Sequence, residues 1–346
     1  ETTRSNGMKS LGGRTLDWLD DTVVMVDQTR LPESFHVIRI STVPDLVAAI
    51  RRLSVRGAPA IGVAGGFGVA LAARHCGVGN SAFDDAVQMI RTARPTAVNL
   101  AKMVDRVAAA ASRGSDAVLE EALAVRDEEI AASELMGIHG AELVTELSRN
   151  RSSYRVLTIC NTGGLASVER GTALSVVQTL HERAVLQETI VLETRPLLQG
   201  ARLTTWELQR MGAPNRLVVD GAGPYLLSRG VVDVVLAGAD RVAANGDTAN
   251  KIGTFSLALA ARHADVPFVV VAPESTIDMA TPSGENIEIE YRDSLEVVSF
   301  GGTMIAPSST EAINPAFDVT PVGLITAIVT DKRVIRLDQG ESVDSI

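Results

Sequence analysis

The second half of this chain predicts a doubly wound α/β domain on a parallel sheet, and the first half predicts a smaller domain of short strands followed by helices. Three observations carry that expectation. Between residues 155 and 271, short and nearly continuous apolar runs recur at Arg155–Ile159, Thr189–Leu192, Arg216–Val219, Val231–Leu236 and Phe268–Val271. Parallel strands covered on both faces read this way. The segments between them are mostly of helix length, as in successive βαβ units. Finally, 346 residues, 46% of them hydrophobic, hold about two domains at roughly 150 residues each.

The elements follow in order. Glu1–Gly7 precede Met8 and read as an expression remnant or disordered leader outside the fold. Thr22–Val26 and Phe35–Ser41 are rich in β-branched and apolar residues and flank the turn Leu31-Pro-Glu-Ser34, so both are predicted strands. At Thr42 the period changes. Leu46, Ala49, Ile50 and Leu53 recur at helical spacing behind Val43-Pro44. The run Gly62–Arg74 is apolar on nearly every side, which marks a buried helix. Further helical patterns cover 82–93, 98–112 and 115–149. The boundary falls inside that last stretch, giving domains 8–130 and 131–346.

Composition narrows the function. Thirty-two basic and 42 acidic residues leave a net charge of −10. A nucleic-acid-binding surface usually carries a basic excess, so no such partner is expected. No stretch reaches the roughly 18 apolar residues that span a bilayer, so no membrane partner is expected either. Cys76 and Cys160 are the only cysteines and lack CxxC spacing, which fits a reducing, cytoplasmic setting. The five histidines show no mutual ligand spacing, so no metal is expected. No cofactor is expected: Cys160–Ala166 offers adjacent Gly163-Gly164 where a dinucleotide fold would show GxGxxG.

In an open parallel sheet, ligands bind beyond the carboxyl ends of the strands. The first such end is Cys160-Asn-Thr-Gly-Gly164, with a helix expected from about Leu165. Turn N–H groups and the helix-terminus field there would attract an anion and favour a thiolate. The alternative is a buried structural cysteine. The second end carries Glu193-Thr-Arg-Pro196 and Gln199-Gly-Ala-Arg202, which suit either phosphate binding or a local ion pair. The third is Gly238-Ala-Asp-Arg241, then Asn245-Gly-Asp247 and Asn250-Lys-Ile-Gly-Thr254. Asp240 beside apolar walls can serve as a general acid or base. Asn250 and Lys251, at a helix expected to start near Lys251, can donate to phosphate. Alternatively, Asp240 caps a helix or pairs with Arg241. In the first half, Arg56 precedes Gly57-Ala58-Pro59 at the start of the buried helix, an anion-site pattern. Arg94 is a second arginine at a turn, and Cys76 reads as inert.

These stretches resemble the methylthioribose-1-phosphate isomerases, a family homologous to the regulatory subunits of eukaryotic translation initiation factor 2B and to archaeal ribose-1,5-bisphosphate isomerases. The resemblance is carried by Val55–Gly62, Arg94–Leu100, Cys160-Asn161 with its glycine pair, and Glu193–Pro196 through Gln199–Arg202. Gly238–Arg241 through Asn250–Gly253 and Asn314–Pro321 extend it. It covers residues 14–335. It implies an N-terminal domain of a short antiparallel sheet plus helices, a Rossmann-like C-terminal domain and a homodimer. It also implies metal-free aldose-to-ketose isomerisation of a small phosphorylated sugar, a ribose 1-phosphate. Cys160 and Asp240 match the catalytic pair, and Arg56, Gly57, Ala58, Arg94, Gln199, Asn250 and Lys251 match substrate-binding positions. Three places depart from the pattern. Ile159 stands where the family typically has histidine, Leu192 where it has aspartate, and the stretch after the third strand reads Asp220-Gly-Ala-Gly223 where a polar residue and methionine are usual. These departures keep another 5-substituted or 5-deoxy ribose 1-phosphate open as substrate. A non-catalytic regulatory subunit that binds sugar phosphate or nucleotide is the rival reading, and the joint presence of Cys160 and Asp240 argues against it.

The chemistry assigns roles on this reading. A phosphate on C1 keeps the aldehyde masked, so the ring must open before hydrogen moves from C2 to C1. A protonated Asp240 donates to the ring oxygen. Cys160 then takes the C2 proton, or hydride passes directly and Cys160 only shapes the site. Ile159 makes the surroundings of Cys160 less polar, which favours the hydride route.

Overall fold

The computed structural model describes residues 13–94, 97–148 and 151–344. The leader with Met8, Pro95-Thr96 of the second arginine motif, and Arg149 of the long expected helix lie outside the described residues. Chain contacts divide the protein into two units. One gathers the residues up to Glu134 with Thr162–Gly171, and the other gathers Leu135–Asn161 with the residues from Thr172 onward.

In the first unit β1 (Leu16–Leu19), β2 (Thr22–Val26) and β3 (Val37–Ile40) form an antiparallel sheet in that order. Helix α1 (Val43–Arg51) starts where the Thr42 hydroxyl accepts the Asp45 N–H, with Pro44 in the first turn. Helix α2 (Ala58–Cys76) is buried at every position from Ala60 to Ala73, as its all-round apolarity predicts. Helices α3 (Ser81–Arg91) and α4 (Val98–Ala109) pack around it, and Phe67, Leu71, Ile90, Leu100 and Val104 share one core. Helix α5 (Ser115–Leu147) completes the predicted helical stretch, its residues from Leu135 onward belonging to the second unit.

The segment after Cys160 corrects an expectation. Instead of a helix from Leu165 there is one 3₁₀ turn, Gly164–Ala166, and helix α6 begins only at Ala173 and runs to Glu182. The reason is a non-local partner. Thr15 donates its N–H to the Val168 carbonyl, and Gln28 Nε2 donates to the Leu165 carbonyl, so this backbone is committed to the first unit.

The second unit continues the chain through β4 (Tyr154–Thr158), α6, β5 (Leu186–Leu192), α7 (Thr205–Met211), β6 (Asn215–Val218), α8 (Ala222–Ser228) and β7 (Val234–Ala237). It goes on through β8 (Arg241–Ala243), β9 (Thr248–Lys251), α9 (Thr254–His263), β10 (Phe268–Val271), β11 (Ile277–Asp278), α10 (Leu295–Val298), β12 (Ser299–Phe300), β13 (Thr303–Met304), β14 (Phe317–Thr320), β15 (Ala327–Val329) and β16 (Val334–Ile335). The main sheet has the order β16-β15-β10-β7-β4-β5-β6, parallel apart from β16. The expected doubly wound sheet is present, and the five apolar runs are five of its seven strands. From β4 the chain winds outward through β5 to β6, then crosses back to lay β7, β10 and β15 on the other side. The order therefore reverses between β4 and β7.

A second sheet, β11-β8-β9-β14, was not foreseen. It overturns the expected helix start near Lys251. Asn250 and Lys251 close strand β9, and α9 starts at Thr254 behind Gly253, whose φ is +103°. The cause again lies far along the chain: β14, from the motif Asn314–Pro321, pairs with β9 and sets Asp318 opposite Asn250. Among the described residues no helix is long and apolar enough to cross a membrane.

Candidate active site

Strands β4 and β7 are direct neighbours, with Thr158 opposite Leu236. Where strand order reverses, the connections leave on opposite faces and open a crevice at the carboxyl ends. Cys160 lies two residues beyond β4, and Asp240 lies three beyond β7. Two of the predicted residues thus meet the topological requirement for a ligand site.

Cys160 is buried and its backbone is left-handed, with φ +64°. That conformation costs a residue with a Cβ about 1–2 kcal/mol. Two hydroxyls hold it there. The Cys160 N–H donates to Thr194 Oγ1 at 2.8 Å, and Thr204 Oγ1 donates to the Cys160 carbonyl at 2.7 Å. Thr194 is itself left-handed, φ +67°, and its N–H and that of Arg195 both donate to the Asp220 carboxylate, at 2.8 and 2.7 Å. The next residue, Asn161, donates to Glu207 Oε1 at 2.6 Å.

Gly200 explains how Gln199 reaches this place. A Cβ on Gly200 would lie 1.7 Å from the Leu192 carbonyl oxygen and 3.0 Å from Thr194 Oγ1. Only glycine lets the loop lie against the end of β5. The π turn Gly200–Thr204 then feeds α7 and delivers Thr204 to Cys160. Gln199 is 5% exposed, and its Oε1 accepts no hydrogen bond from the protein. A buried acceptor of this kind suits a ligand hydroxyl.

At the other strand end, the Asp240 N–H donates to the Ala249 carbonyl at 2.9 Å, which sets Asp240 beside the Asn250 strand. Its side chain is exposed, not walled in by apolar groups as the sequence suggested. Asn250 is buried and donates to Thr254 Oγ1 at 3.0 Å. Lys251 Nζ donates to the Ala316 carbonyl at 3.0 Å and sits 4.5 Å from the Phe317 ring centroid. Asp318 accepts the N–H groups of Gly253 and Phe255, at 2.7 and 3.1 Å, across the start of α9. Burial pushes its carboxyl above the usual carboxylate range, against those N–H groups and Lys251. Arg241 lies 3.8 Å from Asp278.

The first unit holds the other predicted residues. Arg56, Gly57 and Ala58 lead into α2, and Gly57 has φ +94°. A Cβ there would lie 2.4 Å from the Ala166 carbonyl oxygen, so side-chain-free backbone is required. Asn99 in the first turn of α4 donates to the Ala58 carbonyl at 2.7 Å, so the starts of α2 and α4 adjoin. Arg94 lies on the chain entering α4, its carbonyl accepting the Ala97 N–H. In the second unit, Arg195 and Arg202 donate to backbone carbonyls, those of Val297 (2.9 Å) and Leu197 (3.2 Å).

The description Initiation factor 2 subunit family belongs to a family model that matches residues 54–336. The chain belongs to this family. It is 49% identical over 91% of both chains to a methylthioribose-1-phosphate isomerase of Anaeromyxobacter sp., and 46% identical over 93% of both to a 5-deoxyribose 1-phosphate isomerase of Moorella thermoacetica. It matches a "probable bifunctional methylthioribose-1-phosphate isomerase/methylthioribulose-1-phosphate dehydratase" of Nocardia farcinica at 49% identity over 95% of this chain, but spans only 60% of that protein. Among solved structures, 5-methylthioribose 1-phosphate isomerase from Pyrococcus horikoshii superposes with a TM-score of 0.86 at 40% identity, covering 93% of this chain and 92% of that one. The delta subunit of translation initiation factor eIF-2B from A. fulgidus gives 0.80 at 38%, covering 93% and 96%. This member of the initiation factor 2 subunit family is an enzyme of the isomerase class.

Within the family frame, two of the three departures fall in one apolar group. Ile159 and Leu192 share a buried cluster with Cys160 and Leu257. A Cβ on Gly223 would lie 2.9 Å from Leu192 Cδ2, so the small residue and the large one fit together. Sequence reasoning missed Thr194, Thr204, Asp220 and Asp318 as supports. All four lie in or beside the quoted motifs, and polar residues flanking a glycine turn at a strand end were the available signal.

Proposed function

We propose that the chain interconverts an aldose 1-phosphate and its ketose, acting on 5-methylthioribose 1-phosphate or a closely related 5-substituted or 5-deoxy ribose 1-phosphate. The observation that carries this reading is the adjacency of β4 and β7 at the reversal of strand order, with Cys160 beyond one and Asp240 beyond the other. Isomerase relatives of both substrate names support it.

Asp240 acts first. Its proton goes to the ring oxygen, the bond from C1 to that oxygen breaks, and C1 becomes a phosphorylated, electron-poor carbonyl centre. The sugar covers the exposed carboxyl and displaces its water. Hydride then moves from C2 to C1, the C2 hydroxyl becomes the ketone, and its proton returns to the Asp240 carboxylate. The apolar neighbours Ile159 and Leu192 favour this route over proton removal by a Cys160 thiolate, and Cys160 shapes and polarises the reacting face. Gln199 and Asn250 bind sugar hydroxyls. A chain of net charge −10 needs local cations to draw in a dianion, and Arg56, Arg94 and Lys251 supply them, with the backbone at Gly57 and Ala58. Arg56→Ala and Arg94→Ala then raise KM, and unchanged KM in both removes the phosphate assignment. The enzyme is a cytoplasmic homodimer on this reading, and light scattering should return twice the chain mass.

The test is turnover of ribose 1-phosphates that differ only at C5, with the phosphate-free sugars as controls. Ketose should form from the 5-methylthio or 5-deoxy 1-phosphate and from no free sugar. Binding without turnover across the set would instead favour a regulatory subunit, the reading to which the translation-factor relative points. With deuterium at C2, label retained at C1 of the ketose supports the hydride route, and label lost to water assigns Cys160 as the base.

A further inference from the structure

The steps above leave Thr194 and Thr204 without a role, yet both are buried, 1% and 0% exposed, and both grip the backbone of Cys160. We propose that these two threonines are positioning residues that lock Cys160 into the left-handed conformation from which its thiol serves the reaction, an inference that rests on the functional reading above. Beyond the end of β4, the N–H and C=O of Cys160 are each taken by a side-chain hydroxyl. The proton bookkeeping is complete. Thr194 spends its own hydroxyl hydrogen on the Leu192 carbonyl at 3.0 Å, which turns an oxygen lone pair towards the Cys160 N–H. Thr204 spends its hydrogen on the Cys160 carbonyl. Thr194 is in turn pinned by Asp220 through two backbone N–H groups, and Thr204 is brought in by the turn that Gly200 permits.

A cysteine that merely fills core has no need of a left-handed backbone, and a strand end relaxes readily to extended or right-handed geometry. The left-handed turn takes the Cys160 side chain out of the in-and-out alternation of β4. Without the hydroxyls the left-handed turn loses the bonds that offset its cost, and the thiol shifts with the backbone.

The experiment compares Thr204→Val and Thr194→Val with the corresponding serine variants, which keep the hydroxyl. A misplacement of about 1 Å costs on the order of 10²-fold in rate, so the valine variants should lose kcat on that scale with KM nearly unchanged. The serine variants should recover most of the loss. The second readout needs no turnover: the rate of iodoacetamide alkylation of Cys160 across pH, in a Cys76→Ser background. Both valine variants should alter that profile, and the serine variants should keep it. Unchanged kcat, or a fall in kcat with an unchanged alkylation profile, overturns the proposal, because the thiol is then not what the hydroxyls control. If a valine variant does not fold, the alanine variant, which adds no bulk, replaces it in both assays. A wild type that turns over no ribose 1-phosphate defeats the functional reading, and alkylation alone then decides whether the hydroxyls place the thiol.

Discussion

Cys160 and Asp240 end neighbouring strands of one sheet, and the protein treats them in opposite ways. Cys160 is buried, left-handed, and bonded through both of its backbone groups to threonines. Asp240 is exposed, its backbone anchored at the N–H by Ala249. On the proposed function, one residue is fixed before substrate arrives, and the other changes its surroundings when substrate binds. The difference separates two kinds of contribution. A group that shapes the reacting face gains from rigidity. A group that must hold and then release a proton gains from a change of surroundings on binding.

The largest effect should come from disturbing the rigid side. Gly200→Ala places a methyl group against the Leu192 carbonyl, well inside contact distance. The penalty should exceed the roughly 1–3 kcal/mol of ordinary overpacking, read as a fall in the urea midpoint. Wild-type stability in this variant would mean that the end of β5 does not hold the loop.

A smaller effect should appear on the Asp240 side, at Asp318. Its folded carboxyl is pushed above the ordinary 3.8 by burial. A carboxyl raised on folding makes the folded state bind more protons, so its contribution is fully present below 3.8 and is lost as pH rises through the folded value. Asp318→Asn does not titrate. The unfolding free energy of the wild type should therefore drop relative to the variant across that window, with a slope of at most about 1.4 kcal/mol per pH unit. A difference independent of pH would contradict the raised carboxyl at Asp318.

The sequence made some of this legible and left the rest hidden for identifiable reasons. The main strands were readable because a strand buried on both faces must be continuously apolar, as Phe268–Val271 is. Their carboxyl ends then named Cys160 and Asp240. The small sheet was hidden, because Asn250-Lys251 becomes a strand only through β14, and nothing local distinguishes it from the first turn of α9. The helix expected after Gly164 failed for the same reason, its backbone being claimed by Thr15 and Gln28. The exposure of Asp240 contradicted Ala237-Gly238-Ala239 before it, since apolar neighbours in the chain do not enclose a side chain that leaves the strand. Thr194 and Thr204 were invisible as supports, because a threonine near a turn carries no mark of which backbone group its hydroxyl will reach.

The most direct measurement is turnover and binding by Asp240→Asn on the ribose 1-phosphate that the wild type converts. Asparagine keeps the shape and reach of the side chain but has no acidic proton. Turnover should fall by roughly 10²–10⁴-fold, the usual worth of a general acid, while Kd stays close to the wild-type value. Full activity in Asp240→Asn would contradict the claim that this strand end supplies the proton that opens the ring.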